Sequence, residues 1–305
     1  MATNLYTQKD ANVRKTWLLM TVFLVFIVAL GWLLSYILQS LVILYVAIAL
    51  SLVMNFVAYW QSDKIALAMS HAVLAKKFEH LELFRIVENL SITSGLPAPR
   101  VYIIPSQQIN AFATGRDAKH AAIAVTEGAL KKLHKTELEG VIAHELSHVG
   151  NRDILISSVV IVLAGLIAIM ADWFLRISFF GGMGHRDNNR EGGGNTLIMV
   201  LGIVAAILAP LAATLIQLAV SRKREYLADQ SGVLLTRYPD GLANALRKIA
   251  VDQQPLAGAS NAMAHLYLSN PFKGKQKASW LSKLFSTHPQ IEERIKALVE
   301  MNVPQ

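Results

Sequence analysis

The chain has 305 residues, 53% apolar and only 16% charged, with a mean hydropathy of +0.40. That is too apolar for an ordinary soluble enzyme, so membrane residence is the first expectation. The complete lack of cysteine excludes thiol catalysis, cysteine-ligated metal and disulfides, and the formal charge of +8 does not imply a nucleic acid. Much of the basic excess flanks apolar runs, at Lys9, Arg14 and Lys15 and again at Arg222, Lys223 and Arg224. There it fits membrane topology and lipid headgroups, and no nucleic-acid-binding motif accompanies it.

Taken in chain order, residues 1–16 read as a cytoplasmic tail. Two apolar runs follow, Trp17 to Leu38 and about Leu41 to Tyr59. Each is long enough for the roughly 20 helical residues that cross a bilayer. Only Gln39 and Ser40 separate them, so residues 17–60 are expected to form a tight transmembrane hairpin. The length of the first run argues against a cleaved leader.

Residues 61–153 have the texture of a soluble α/β unit. Leu83, Ile86, Val87 and Leu90 give helical spacing over Leu81 to Ser94, ended by Gly95. Short strands are expected at Arg100 to Ile104, Asn110 to Thr114 and Ala121 to Thr126, making a small sheet. Thr136 with Glu139 reads as a capping box that starts a helix running through His148.

A second transmembrane hairpin is expected over 154–220, from runs Ile154 to about Leu175 and about Thr196 to Val220, joined by a glycine-rich loop at 181–195. The alternative is a hairpin buried within a soluble domain. Residues 221–305 return to a soluble, mostly helical pattern, including a helix from Gln290 to Met301, and complete the catalytic domain. The fold class is therefore an integral membrane, mainly α protein: four transmembrane helices plus an α+β zincin-like catalytic domain with a small sheet. The basic residues beside the first and fourth runs put both soluble parts on the cytoplasmic side.

The segment carrying chemistry is Ala143-His144-Glu145-Leu146-Ser147-His148. Histidines four apart share a helix face and can hold one Zn2+ per chain at about 2 Å. Glu145, at the edge of that face, is placed to take a proton from the attacking water and pass it to the leaving amine. A catalytic zinc needs a third protein ligand. Asp153, about 140° round the same helix from His148, is expected to point away. Asp172 and Glu191 are separated from the motif by a membrane run. Glu225 begins just after the fourth run, as His148 ends just before the third, so a hairpin brings the two to one membrane face and makes Glu225 the third ligand. Asp229 shares the face of Glu225 and reads either as acceptor from a ligand histidine or as a solvated charge.

Assembled, His144-Glu145-Leu146-Ser147-His148, Glu225-Tyr226-Leu227-Ala228-Asp229, Asn110-Ala111-Phe112 and Thr287-His288-Pro289 among four apolar runs resemble the HtpX-type membrane zinc endopeptidases of the M48 metalloprotease family, relatives of the CAAX prenyl proteases. The resemblance covers nearly the whole chain. It implies proteolysis of misfolded or damaged membrane proteins in a bacterial inner membrane, as stress-linked quality control. It also implies that Asn110-Ala111-Phe112 is an edge strand lining the cleft, which suits a protease that binds substrate by strand addition. Asn110 then orients the substrate backbone or caps a turn. The family suggests His288 at the oxyanion, against the plainer reading of a helix-entry histidine. Arg294, among Glu292 and Glu293, reads as an exposed helical arginine, with a similar assisting role as the alternative.

Three other readings compete with this one. An intramembrane protease would bury its motif in an apolar helix, whereas Lys131, Lys132, Lys135, Glu137 and Glu139 precede this one. A non-proteolytic chaperone or scaffold would not need Glu145. A CAAX-type processing protease would share the chemistry and differ only in substrate.

Overall fold

The computed structural model describes residues 5–181, 202–204, 207–208, 221–256, 263–264, 266–269, 271 and 290–301. Helix α1 runs from Leu5 to Ile37, 33 residues. At 1.5 Å per residue that is about 50 Å, against a hydrocarbon core of about 30 Å. The expected tail, from Leu5 on, is therefore helix continuous with the span. Its buried stripe begins below the apolar run, at Asn12 and Thr16, and continues through Met20, Phe23 and Ile27.

Gln39, at a left-handed φ of 51°, turns the chain into α2, Leu41–Trp60. Ala47 of α2 packs where a side chain on Gly31 would stand, so the two helices meet at close range. Helix α7, Asp153–Gly181, completes this layer. Leu155, Val159, Leu163 and Ile167 pack with Phe23, Ile27, Met54 and Ala58 into one apolar cluster.

Among the described residues, three helices are long and apolar enough to cross a membrane: Lys9–Ile37, Leu41–Trp60 and Asp153–Asp172. The fourth expected run, Thr196 to Val220, lies outside the described residues except at 202–204 and 207–208, as does the glycine-rich loop beyond Gly181.

The rest packs into a second layer of short helices around a small sheet. Helix α3, Ser62–Met69, leads to β1 at Val73–Leu74, then α4 at Leu81–Ser94, which stops at Gly95 with φ 66°. Strands β2 (Arg100–Ile104), β3 (Ala111–Thr114) and β4 (Ala122–Thr126) join β1 in a sheet of order β1-β2-β4-β3. β2 and β4 are parallel, with Tyr102 opposite Ala124, and the other pairs are antiparallel. The two-residue β1, with both side chains exposed, is too short to show an alternating pattern, which is why the sequence did not reveal it.

Helix α5, Glu127–Lys132, starts where Thr126 Oγ1 accepts from Ala129 N–H at 3.1 Å. Helix α6, Lys135–Gly150, begins one residue before the expected Thr136. Its start is closed by Glu137, whose carboxylate accepts from His134 N–H at 2.7 Å, so Glu137 and not Glu139 makes the reciprocal bond. Helices α8 (Arg222–Thr236), α9 (Pro239–Val251) and α10 (Ile291–Val299) pack on α6 and one another through Val141, Ile142, Val233, Leu246 and Leu298.

Candidate metal centre

The motif helix α6 is buried on nearly every face, which fixes its rotation and hence the direction of both motif histidines. Their Nε2 atoms stand 3.2 Å apart. Glu225, in the first turn of α8, places Oε2 3.8 Å from His144 Nε2 and Oε1 3.7 Å from His148 Nε2. Donors around a tetrahedral ion at about 2 Å lie roughly 3.3 Å from one another, so this triangle is the size that one zinc demands.

The other ring nitrogens are both occupied. His144 Nδ1 meets Asp229 Oδ1 at 2.9 Å, and His148 Nδ1 meets Asp153 Oδ2 at 3.0 Å. A carboxylate only accepts, so each Nδ1 carries a proton, which leaves each Nε2 as the nitrogen that can turn a lone pair toward the triangle once metal displaces any proton there. The residues present therefore fit a zinc ion by size, donor type and tautomer.

Helix α8 comes close enough because Gly232 faces α6. A Cβ there would sit 3.0 Å from the backbone nitrogen of His144. Asp229 and Glu225, one and two turns earlier, are thereby brought against His144. The ends of segment 154–220 also meet, since Arg224 Nε lies 3.5 Å from Asp153 Oδ1. Arg224 is buried, so of the three basic residues after the fourth run only Arg222 and Lys223 are exposed to meet a membrane surface.

Asp153 and Arg294 stand elsewhere than the sequence reading expects. Asp153 does not point away, because α6 ends at Gly150 and Arg152, at φ 56°, breaks the helix before α7 starts. A 140° separation holds only along one continuous helix, and the break returns the carboxylate to His148. Arg294 is 0% exposed, not a surface arginine. Its Nε and Nη2 bond the two oxygens of Asp229 at 2.9 and 2.6 Å, and its Nη1 lies 3.6 Å from Glu225 Oε2. A signal was present: Arg294 falls three residues after Ile291 and four before Leu298, within the apolar stripe of its helix.

Glu145 is buried against β3. Burial pushes its carboxyl up from the ordinary range and Glu225 adds to that, while the motif histidines and the Ala113 backbone N–H pull it down, with a net rise. A base poised nearer neutrality suits proton transfer at physiological pH. β3 is the end strand of the sheet and is tied to α7 by Thr114 Oγ1 and Ser158 Oγ, 2.8 Å apart. Its outer edge is partly covered, since Leu268 N–H donates to Ala111 O at 3.1 Å.

The Asn110 amide is committed at both ends. Its Nδ2 donates to Ser269 O and Gln108 Oε1, and its Oδ1 accepts from the N–H groups of Ala111 and Ser269. It clamps the 269 segment onto β3, so in this geometry it neither faces substrate nor caps a simple turn. His288 lies outside the described residues.

Burial opposes charge on His148, but the Asp153 hydrogen bond and the Glu225, Asp153 and Glu145 carboxylates raise it to about 9. Metal must displace that proton. Zinc affinity is therefore expected to climb about tenfold per pH unit up to about pH 9 and then level off. Chelator competition at several pH values checks this, and a plateau already reached at pH 7 would contradict it.

Two inward-facing imidazoles, a carboxylate and a buried glutamate beside the pair define a zinc metallopeptidase. Residues 77–302 match Peptidase family M48. The chain is 44% identical over 304 residues to "Protease HtpX homolog" of Thermoanaerobacter pseudethanolicus, covering 98% of each chain. It is 49% identical over 255 residues to the protein of that name from Pyrococcus furiosus, covering 83% of this chain and 84% of that one. The crystal structure of S. mikatae Ste24p shares the fold, with a TM-score of 0.52 at 18% identity, over 96% of this chain and 66% of that one. The chain belongs to peptidase family M48, and its long apolar helices make it a membrane-embedded member whose cofactor is zinc.

Proposed function

We propose that this chain is a zinc endopeptidase that hydrolyses peptide bonds of misfolded or damaged membrane proteins at the cytoplasmic face of a bacterial inner membrane. The observation that carries the chemistry is the donor triangle of His144, His148 and Glu225, with each Nδ1 held by a carboxylate and Glu145 beside it. When bound there, zinc supplies the positive charge that acidifies a water and polarises a carbonyl. Glu145 takes one proton from the attacking water as its oxygen bonds to the carbonyl carbon, then delivers that proton to the amine as the carbon–nitrogen bond breaks. Asp229 and Asp153 keep the two rings in the lone-pair-inward tautomer throughout. An extended substrate pairing with β3 near Ala113 would lie against Glu145. The cytoplasmic placement is supported by Lys9, Arg14 and Lys15 at the start of α1 and by exposed Arg222 and Lys223.

The test uses full-length protein in liposomes with one membrane protein supplied folded and misfolded. The misfolded form is expected to be cut faster, with cutting abolished by a chelator and restored by equimolar zinc. Equal cutting of both forms would overturn the substrate assignment, and cutting confined to a lipidated C-terminal peptide would replace it with processing of the CAAX type.

A further inference from the structure

We infer that Asn12, on the first membrane helix, is a positioning residue of the metal centre that acts through Asp153 on His148. The inference rests on the zinc-site reading above. Asn12 is 1% exposed. Its Nδ2 donates to Asp153 Oδ1 at 2.6 Å and to Asn151 O at 3.0 Å. The amide can face only this way, because Asp153 offers acceptors alone.

That orientation leaves Asn12 Oδ1 buried with no partner among the described residues. An apolar residue would avoid the orphan and continue the buried stripe of Thr16, Met20, Phe23 and Ile27. A polar side chain is explained here by what its other end holds. Asp153 is gripped from two sides, by Asn12 of α1 and by Arg224 Nε of α8 at 3.5 Å, both on Oδ1. Oδ2 is thereby aimed at His148 Nδ1.

His148 is the ring that needs such support. Its side chain is 15% exposed, whereas that of His144 is 1% exposed and is also packed beside Arg294. The last ligand of the motif therefore takes its orientation from a helix that crosses the membrane, and the site is complete only when the foot of α1 is docked. Loss of an outer partner of a ligating histidine typically weakens metal binding 10- to 100-fold; Asp153 is that partner of His148 and Asn12 stands one step behind it, so the effect of removing Asn12 falls at the lower end.

The experiment compares Asn12→Leu, Asn12→Asp and Asn12→Ser with wild type, using full-length protein in detergent. Zinc dissociation constants come from chelator competition, and Co2+ absorption reports ligand geometry. Each variant that folds is expected to bind zinc about tenfold more weakly, with a displaced Co2+ spectrum. Thr16→Val, one turn away in the same stripe, is expected to keep both wild-type values. Wild-type zinc affinity and Co2+ spectrum in the Asn12 variants would overturn the inference, whatever their melting temperatures. So would an equal loss in Thr16→Val, which would reduce the effect to helix docking. A wild-type chain that binds no zinc would instead overturn the site reading on which this depends.

Discussion

Glu145→Gln is expected to keep its zinc and lose peptide-bond hydrolysis by about 10²–10⁴-fold, the range supplied by a positioned general base. Glutamine preserves the shape of a side chain that is only 2% exposed, so the change removes basicity without opening a cavity. The donor triangle does not include Glu145, and metal content should therefore stay at the wild-type level. Measured cleavage of an unfolded protein, paired with metal analysis of the same sample, separates the two quantities. Unchanged cleavage would refute the mechanism. No cleavage by either form, with zinc bound in both, would favour a non-proteolytic chaperone or scaffold.

Arg294→Met is expected to destabilise the metal-free protein by about 3–5 kcal/mol, the usual cost of removing one partner from a buried ion pair. Asp229 would keep His144 as a partner but lose both bonds from the guanidinium. Burial alone would raise the Asp229 carboxyl, yet Arg294 and His144 hold it well below the ordinary carboxylate range. A depressed value contributes stability that is present above the unfolded-state pKa and is lost as pH falls through the folded one. The difference between variant and wild type should thus be full at neutral pH and shrink only in strong acid. Thermal unfolding across pH tests this, and Asp229→Asn in the Arg294→Met background should recover part of the loss. A variant as stable as wild type would mean that the pair is solvated and not structural.

Much of this centre was legible because it obeys helical periodicity. His144 and His148 lie one turn apart, Glu225 and Asp229 lie one turn apart, and the idea of a returning hairpin predicts which helices face each other. The sequence was less informative wherever periodicity is interrupted. Arg152 adopts a left-handed conformation that no propensity argument demands, and that single residue turns Asp153 from a bystander into the partner of His148. Asn12 falls in the stretch that the apolar run leaves as tail, although its spacing of four to Thr16 and eight to Met20 already continues the buried stripe. Asn110 is a case where long-range contacts decide. The sequence reading has it orient substrate or cap a turn, whereas a partner of its amide, Ser269, lies 159 positions away and leaves no local trace.

The fold followed the same rule. Helix α4 and strand β2 match their expected bounds because their apolar spacing and the flanking Gly95 and Pro99 mark both ends. Helix α6 starts ahead of Thr136 because it is Glu137, not Glu139, that accepts from a backbone N–H before the helix, that of His134.

The central claim is that one zinc is held by two imidazoles of α6 and a carboxylate delivered by α8. Metal analysis of the purified full-length chain, alone and as Glu225→Ala, tests it most directly. The account predicts one zinc per wild-type chain and its loss from the variant on dialysis against a weak chelator, while the folded state persists. A variant that retains zinc with wild-type affinity would contradict it.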